Sequence, residues 1–328
     1  PAFYITHGLT PKIGRGAARF LSGFFSIALI IALGFIGNAT QANSIASSVT
    51  IAFNVPALAV GITLAVLAGM IIVGGVNRIA NIAQFVVPFM AIIYILCAVV
   101  ILFEFSDHIV PMFNHIFTAA FNPEAVLGGA AGIGMREAVR YGVARGLFSN
   151  EAGMGSTPHA HATADVNHPV QQGLAAFIGV FIDTIVICTA TGLTVLLAGP
   201  EVYTPGVEPR WAETTLVQHA LADALPGGWV VWFMSFVVFT FAYSSVLGYS
   251  AFAEINATYL GGGRRTGVVL RLAMTAATGL GAVVALELAW VMADIALALM
   301  TVLNLIALLW LSRWVLAALR DYEIGRAH

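Results

Sequence analysis

Asp183 is the first residue of this sequence that demands a chemical reason, because it lies thirteen residues into an apolar run over 170–198. A carboxylate at that depth in lipid is costly, and by default it marks an ion or proton path. Thr184 adjoins it, and Thr189 and Thr191 follow. Carboxylate and hydroxyl oxygens are what a hard cation accepts in place of its water shell. The other reading is a structural carboxylate held by backbone amides or an arginine. A second group is Asn38, Gln41, Ser44 and Ser48, within a run over 16–49. Their spacing places them on one helical face, where polar side chains in lipid need either a partner helix or a cavity. The third group has no side chains at all: Gly128, Gly129, Gly132 and Gly134 fall within seven residues. Each glycine costs a helix about 1 kcal/mol relative to alanine, so the helix is expected to be thinned or broken there. Bare backbone at membrane depth lines a cavity or packs on protein, and broken helices of this kind hold substrates in many transporters. Close helix packing is the alternative.

Composition sets the stage for these groups. The chain has 328 residues, 59% hydrophobic and only 9% charged, with a mean hydropathy of +0.92. A soluble domain carries about a quarter charged residues; this is the composition of an all-α polytopic membrane protein. A net charge of −2 gives no footing for nucleic acid. Cys97 and Cys188 both lie in apolar runs and are expected to be small buried hydrophobes. His159, His161 and His168 lack the spacing of a recognised metal site. Glu151 and Ser149 have no nucleophile elbow or oxyanion motif beside them. An intramembrane enzyme and a channel remain as alternatives without motifs of their own.

Eight apolar runs are long enough to cross a bilayer, at roughly 16–49, 56–74, 79–103, 124–146, 170–198, 228–258, 266–286 and 289–312. Residues 104–122 fit an outer amphipathic helix or lid, and 199–227 an outer loop. With residues 1–15 on the cytoplasmic side, 13 of the 14 Lys and Arg fall at inner ends, Arg136, Arg140 and Arg145 among them, as the positive-inside rule requires. The fourth run starts near Pro123 on the outer side. At about 1.5 Å per residue, Gly128–Gly134 lies about 8–17 Å down and Asn150 about 40 Å along, at the inner face. By that count the glycine run is the candidate pocket, and the block after Asn150 is cytoplasmic scaffolding or a gate.

That block, RGLFSNEAGMGS (145–156) with HPVQQG (168–173), resembles the most distinctive stretch of the alanine/glycine:cation symporter family. GNATQANSIA (37–46), FIDTIVICTATGL (181–193) and ADIALALMTVLNLIALLWLS (293–312) agree in order and spacing. The resemblance spans the chain as one domain, 1–328. It implies a five-plus-five inverted-repeat, leucine-transporter-like fold that carries alanine or glycine with sodium across a cell membrane. Pro1 then falls after the family's second core helix, so the first two core helices are expected to be missing. Gln41 matches the family's substrate-contacting glutamine, with Asn38 on the same face. Gly128, Gly129, Gly132, Ile133 and Gly134 would present backbone groups to the substrate. Ser244 and Ser245 stand where the family has two threonines; with Asp183 they are the candidate sodium ligands, Ser245 facing the substrate as well. Tyr249 replaces a tryptophan as the pocket floor, and Leu297 and Leu303 replace Asn and Pro. Beyond sodium as coupling ion, no cofactor, other metal or obligate protein partner is implied. Alanine, glycine and D-alanine, and sodium and protons, remain open choices.

Overall fold

The computed structural model describes residues 1–121, 129–151, 153–198, 202, 213–225 and 227–327, and no strand occurs among them. The helices in chain order are α1 (Ala2–Ile13), α2 (Arg15–Phe53), α3 (Ala57–Ile72), α4 (Val76–Glu104) and α5 (Ser106–Ala120). Then follow α6 (Gly129–Asn150), the single turn α7 (Pro158–His161), α8 (Pro169–Leu196) and α9 (Glu213–Ala224). The chain closes with α10 (Trp229–Tyr259), α11 (Arg264–Gly281) and α12 (Leu286–Ala327). Five of these, α2, α4, α8, α10 and α12, are long and apolar enough to cross a membrane, which makes this a multi-pass membrane protein. The other three expected spans are present as α3, α6 and α11, which are shorter or more polar.

Two spanning helices are widened and underwound in the same unusual way. Ile30–Gly37 of α2 and Ile182–Ile187 of α8 are π-helical turns, a rare winding that recurs at functional sites. One immediately precedes Asn38, and the other contains Asp183 and Thr184. In lipid the hydrophobic effect does not draw helices together, so close packing of small residues must. The α3–α11 seam has that character: a Cβ on Gly61 would stand 2.5 Å from the Gly279 carbonyl oxygen. Elsewhere the core is built on α2, whose Phe25, Leu29 and Leu33 are buried with Met300 and Ala307 of α12. Phe20, Phe85 and Phe103 point outward, more than 70% exposed, as lipid-facing side chains do.

The structure departs from the sequence reading in three places here. The outer loop over 199–227 contains a packed helix, α9, whose buried Gln218 accepts from Ser48 Oγ (2.8 Å) and donates to the Val231 carbonyl (2.9 Å). Its apolar positions are too few to announce a helix without those bonds. Arg145 is not a free cation at a helix end: it grips Asp294, eight residues into α12, with both oxygens within 2.8 Å, and stacks 4.4 Å from the Trp290 ring. Cys188 is exposed rather than buried, with Ser149 Oγ 3.2 Å from its sulfur. The Cys97 side chain lies outside the described residues.

Candidate functional site

The chain does break inside the protein, but later than expected. α6 runs unbroken from Gly129 through Gly132, Ile133 and Gly134, and Gly128 lies outside the described residues. The expected break at these glycines is thus absent from 129–134. A helix satisfies its own backbone groups without help, so in apolar surroundings a tolerable glycine penalty leaves it intact. The interruption follows Asn150, where Glu151 (φ 52°), Gly153 (φ 79°) and Gly155 (φ 87°) are left-handed.

The described residues of this stretch, 151 and 153–157, are held by α2 and α12 and, through His159, by α10. Asn304 Nδ2 of α12 donates to the Gly153 carbonyl (2.8 Å), and Tyr4 of α1 donates to the same Asn304 side chain. Met154 and Ser156 are fully buried. Gly155 lies flat against Phe25 and Asn304, where a Cβ would come within 2.9 Å of each. His159 fastens the far end. Its Nδ1 donates 2.8 Å to the Ser156 carbonyl, and its Nε2 accepts from Asn256 Nδ2 of α10 at 2.8 Å. This is the neutral tautomer with both nitrogens satisfied.

His159 lies outside the spanning helices, and burial takes its pKa down to about 4. A free imidazole titrates near 6.5, so between those values only the unfolded chain takes up the proton. The contribution of His159 is therefore whole above about pH 6.5 and drains away as pH falls towards 4, by about 3 kcal/mol in all. Melting of the detergent-solubilised protein should fall over that window, and His159→Gln should flatten part of the slope. Parallel pH curves for parent and variant would remove His159 as the cause.

The fastened segment presents Glu151 to α10. Its Oε2 accepts from Ser156 Oγ (2.6 Å), and its carboxylate meets the Tyr249 hydroxyl, which also meets the Gln41 side chain. The Tyr249 ring lies on Gly37, where a Cβ would stand 3.0 Å from Cδ2. Tyr249 is ten residues from the C-terminal end of α10, about 15 Å along it, or half the thickness of a bilayer's hydrocarbon core. Glu151 at that level corrects the depth assigned to the block. Ser149 Oγ donates 2.8 Å to Asp183, itself about 20 Å from the start of α8, and Asn150 Nδ2 reaches Thr184 Oγ1 at 3.3 Å. The residue count failed because it assumed an upright helix starting at the outer face.

The structure thus joins Gln41 and Tyr249, and adds Glu151 and Ser156, which the sequence reading had left at the inner surface. The signal was present in the three closely spaced residues Glu151, Gly153 and Gly155, two of them glycine in a stretch otherwise suited to helix. Asn38 is buried one turn before Gln41; its Nδ2 donates to the Gly34 carbonyl (2.9 Å) and Ser250 Oγ (3.0 Å), and its Oδ1 has no partner among the described residues. Ser244 and Ser245 are half-buried a turn above Tyr249 and both donate to the Phe241 carbonyl, at 2.8 and 3.1 Å. No hydrogen bond joins either serine to Asp183 among the described residues. Nor do three metal-ligating side chains meet anywhere among them; His161 pairs with Gln172 and His168 with Asp321.

Comparison with known proteins gives the family of the chain. The model of the "Sodium:alanine symporter family" matches residues 1–328. An uncharacterized transporter of Haemophilus influenzae is 39% identical over 98% of this chain and 64% of its own length. The putative sodium/proton-dependent alanine carrier protein YrbD of Bacillus subtilis is 38% identical over 98% of this chain and 66% of its own. The probable sodium/glutamine symporter GlnT of the same organism is 34% identical, covering 98% and 64%. The chain therefore spans about two thirds of the length of these relatives, which are named as transporters or carriers and not as enzymes.

Proposed function

We propose, since the chain belongs to the sodium:alanine symporter family, that its protein carries a small neutral amino acid, alanine first, across the cell membrane together with sodium. The observation that carries this reading is the meeting of Gln41 and Tyr249 with Glu151 and Ser156, two residues of the interrupted stretch after α6, inside the helix bundle. Polar groups placed there require partners, and a zwitterion supplies both signs. Gln41 offers a donor and an acceptor. The unpartnered Oδ1 of Asn38 is suited to an ammonium group, and the Tyr249 ring would close the floor and limit side-chain size.

Ser244 and Ser245 spend their hydrogens on the Phe241 carbonyl, which leaves hydroxyl lone pairs for a hard cation. Asp183 would serve the cation path from the side of α8. Gly129, Gly132, Ile133 and Gly134 keep a part as the outer stretch of α6 along which substrate enters, and Gly128, which precedes them in the sequence, keeps its proposed part with them. An inverted-repeat bundle rocking about this centre would give alternating access, with residues 1–15 on the cytoplasmic side. The relative named for glutamine adds that substrate to the competitors worth testing.

The test is uptake of labelled alanine by the full-length protein in vesicles, with and without an inward sodium gradient. Uptake is expected to need sodium, to saturate, and to be suppressed by unlabelled alanine or glycine more than by glutamine. Sodium-independent or non-saturating flux would end the reading, and preferential suppression by glutamine would reassign the substrate.

A further inference from the structure

Glu151 is the one carboxylate at the centre of the described structure that the proposed cycle leaves unused, and its neighbours share a chemical property. Ser156 Oγ lies 2.6 Å from Oε2 and the Tyr249 hydroxyl faces the same group. Hydroxyls donate to a carboxylate and accept from a carboxylic acid, so this surround satisfies Glu151 in either charge state. An arginine or lysine would lock the ionised form, as Arg145 does for Asp294 and Arg271 for Glu254; no such ion pair involves Glu151 among the described residues. The residue is also held at φ 52°, where an unbranched L-residue is strained. Such outliers persist where surrounding contacts over-determine them and cluster at functional sites.

Two routes connect Glu151 to the rest of the molecule. Through Tyr249 it reaches Gln41, the candidate substrate contact. On α8, Asp183 is within electrostatic reach and lines a cavity of about 310 Å³ with Ser149, Asn150, Thr157, His161 and Gln172. That cavity lies beside the segment, and its polar side chains are ones that water could bond. The other titratable groups around the segment are His159, turned away onto Asn256, Tyr4, engaged by Asn304, and the Arg145–Asp294 pair six residues earlier.

We propose that Glu151 is a proton-binding site of the transporter, and that Gln41 senses its protonation through Tyr249. Proton uptake gives the carboxyl one O–H to donate: Ser156 Oγ goes on donating to Oε2, while the Tyr249 hydroxyl turns from donor into acceptor. Reorienting the Tyr249 hydroxyl changes what it offers Gln41, so substrate affinity becomes pH-dependent. The proton comes from water on one side of the membrane and leaves to water on the other, with no bond made except to Glu151 oxygen. This rests on the transport reading above, but the two fail separately. Sodium-dependent alanine uptake tests that reading; the pH dependence of alanine binding tests this one.

The experiment measures alanine binding to the full-length protein in detergent at saturating sodium, from pH 5.5 to 8.5, for the parent, Glu151→Gln and Tyr249→Phe. The parent's dissociation constant is expected to change severalfold or more across the range. Glu151→Gln, which mimics the protonated carboxyl, should bind with an affinity that does not vary with pH. Tyr249→Phe, which keeps the ring but not the relay, should bind more weakly with a profile at least partly flattened. A flat parent curve overturns the proposal, as does a Glu151→Gln curve that follows the parent's. Should Glu151→Gln not fold, Tyr249→Phe decides alone: a profile parallel to the parent's overturns the relay.

Discussion

Gln41→Ala is expected to raise the half-saturating alanine concentration at least tenfold while leaving membrane insertion and melting close to the parent's. Gln41 is half-buried on α2, one turn beyond the glycine that seats the Tyr249 ring, and its side chain meets the Tyr249 hydroxyl. Removing it takes a donor and an acceptor from the proposed pocket and strands their partners. A stranded buried polar group costs about 1–3 kcal/mol, and 1.4 kcal/mol is a factor of ten. Alanine is a better helix former than glutamine, so α2 has no reason to unwind. Uptake kinetics that overlay the parent's would remove Gln41 from the site. A tenfold effect accompanied by an equal loss of melting temperature would make it structural.

The second large effect is expected of Gly155→Ala. The backbone there has φ 87°, a region that costs an L-residue about 1–2 kcal/mol. The new methyl would also meet Phe25 Cζ at 2.8 Å and Asn304 Cγ at 2.9 Å. Neither neighbour is the free end of a flexible chain: Phe25 is fully buried in the core, and Asn304 is tied to Gly153 and Tyr4. Strain and overpacking together are worth about 2–5 kcal/mol. Melting should drop by several degrees, with transport lost through displacement of Glu151 and Ser156. Gly142→Ala and Gly146→Ala on α6 are the controls, since nothing lies within 4 Å of a Cβ at either. A Gly155→Ala protein as stable and active as these controls would show that the segment is not fastened as described.

The helices and their apolar faces were legible because membrane-length hydrophobic runs are a strong signal. The amphipathic helix α5 was legible from its mixed composition, and Gln41 and Tyr249 from the family resemblance. Depth was not. Counting residues along α6 put Asn150 at the inner face, whereas hydrogen bonds from Ser149 and Asn150 place that end beside Asp183 and Thr184. Composition reports which residues avoid water but not how far a tilted helix has slid along its neighbours. The glycine run misled for a related reason. Glycine weakens a helix by an amount that lipid outweighs, while the real break needed left-handed residues together with outside partners, Asn304, His159 and Asn256, for the freed backbone. Asn304 lies 151 positions from Gly153 and Asn256 lies 97 from His159, and nothing local announces either.

The contact between Gly61 and Gly279 limits how the bundle can divide when it moves. Side chains meshed across a helix pair can slip by exchanging rotamers, but two backbones in contact have nothing to rearrange. A slip of about one turn along the axis would set Ala65 or Ala282 where only a hydrogen atom fits. α3 and α11 are therefore one mechanical part, and any rocking about the site must turn them together, with the hinge placed elsewhere.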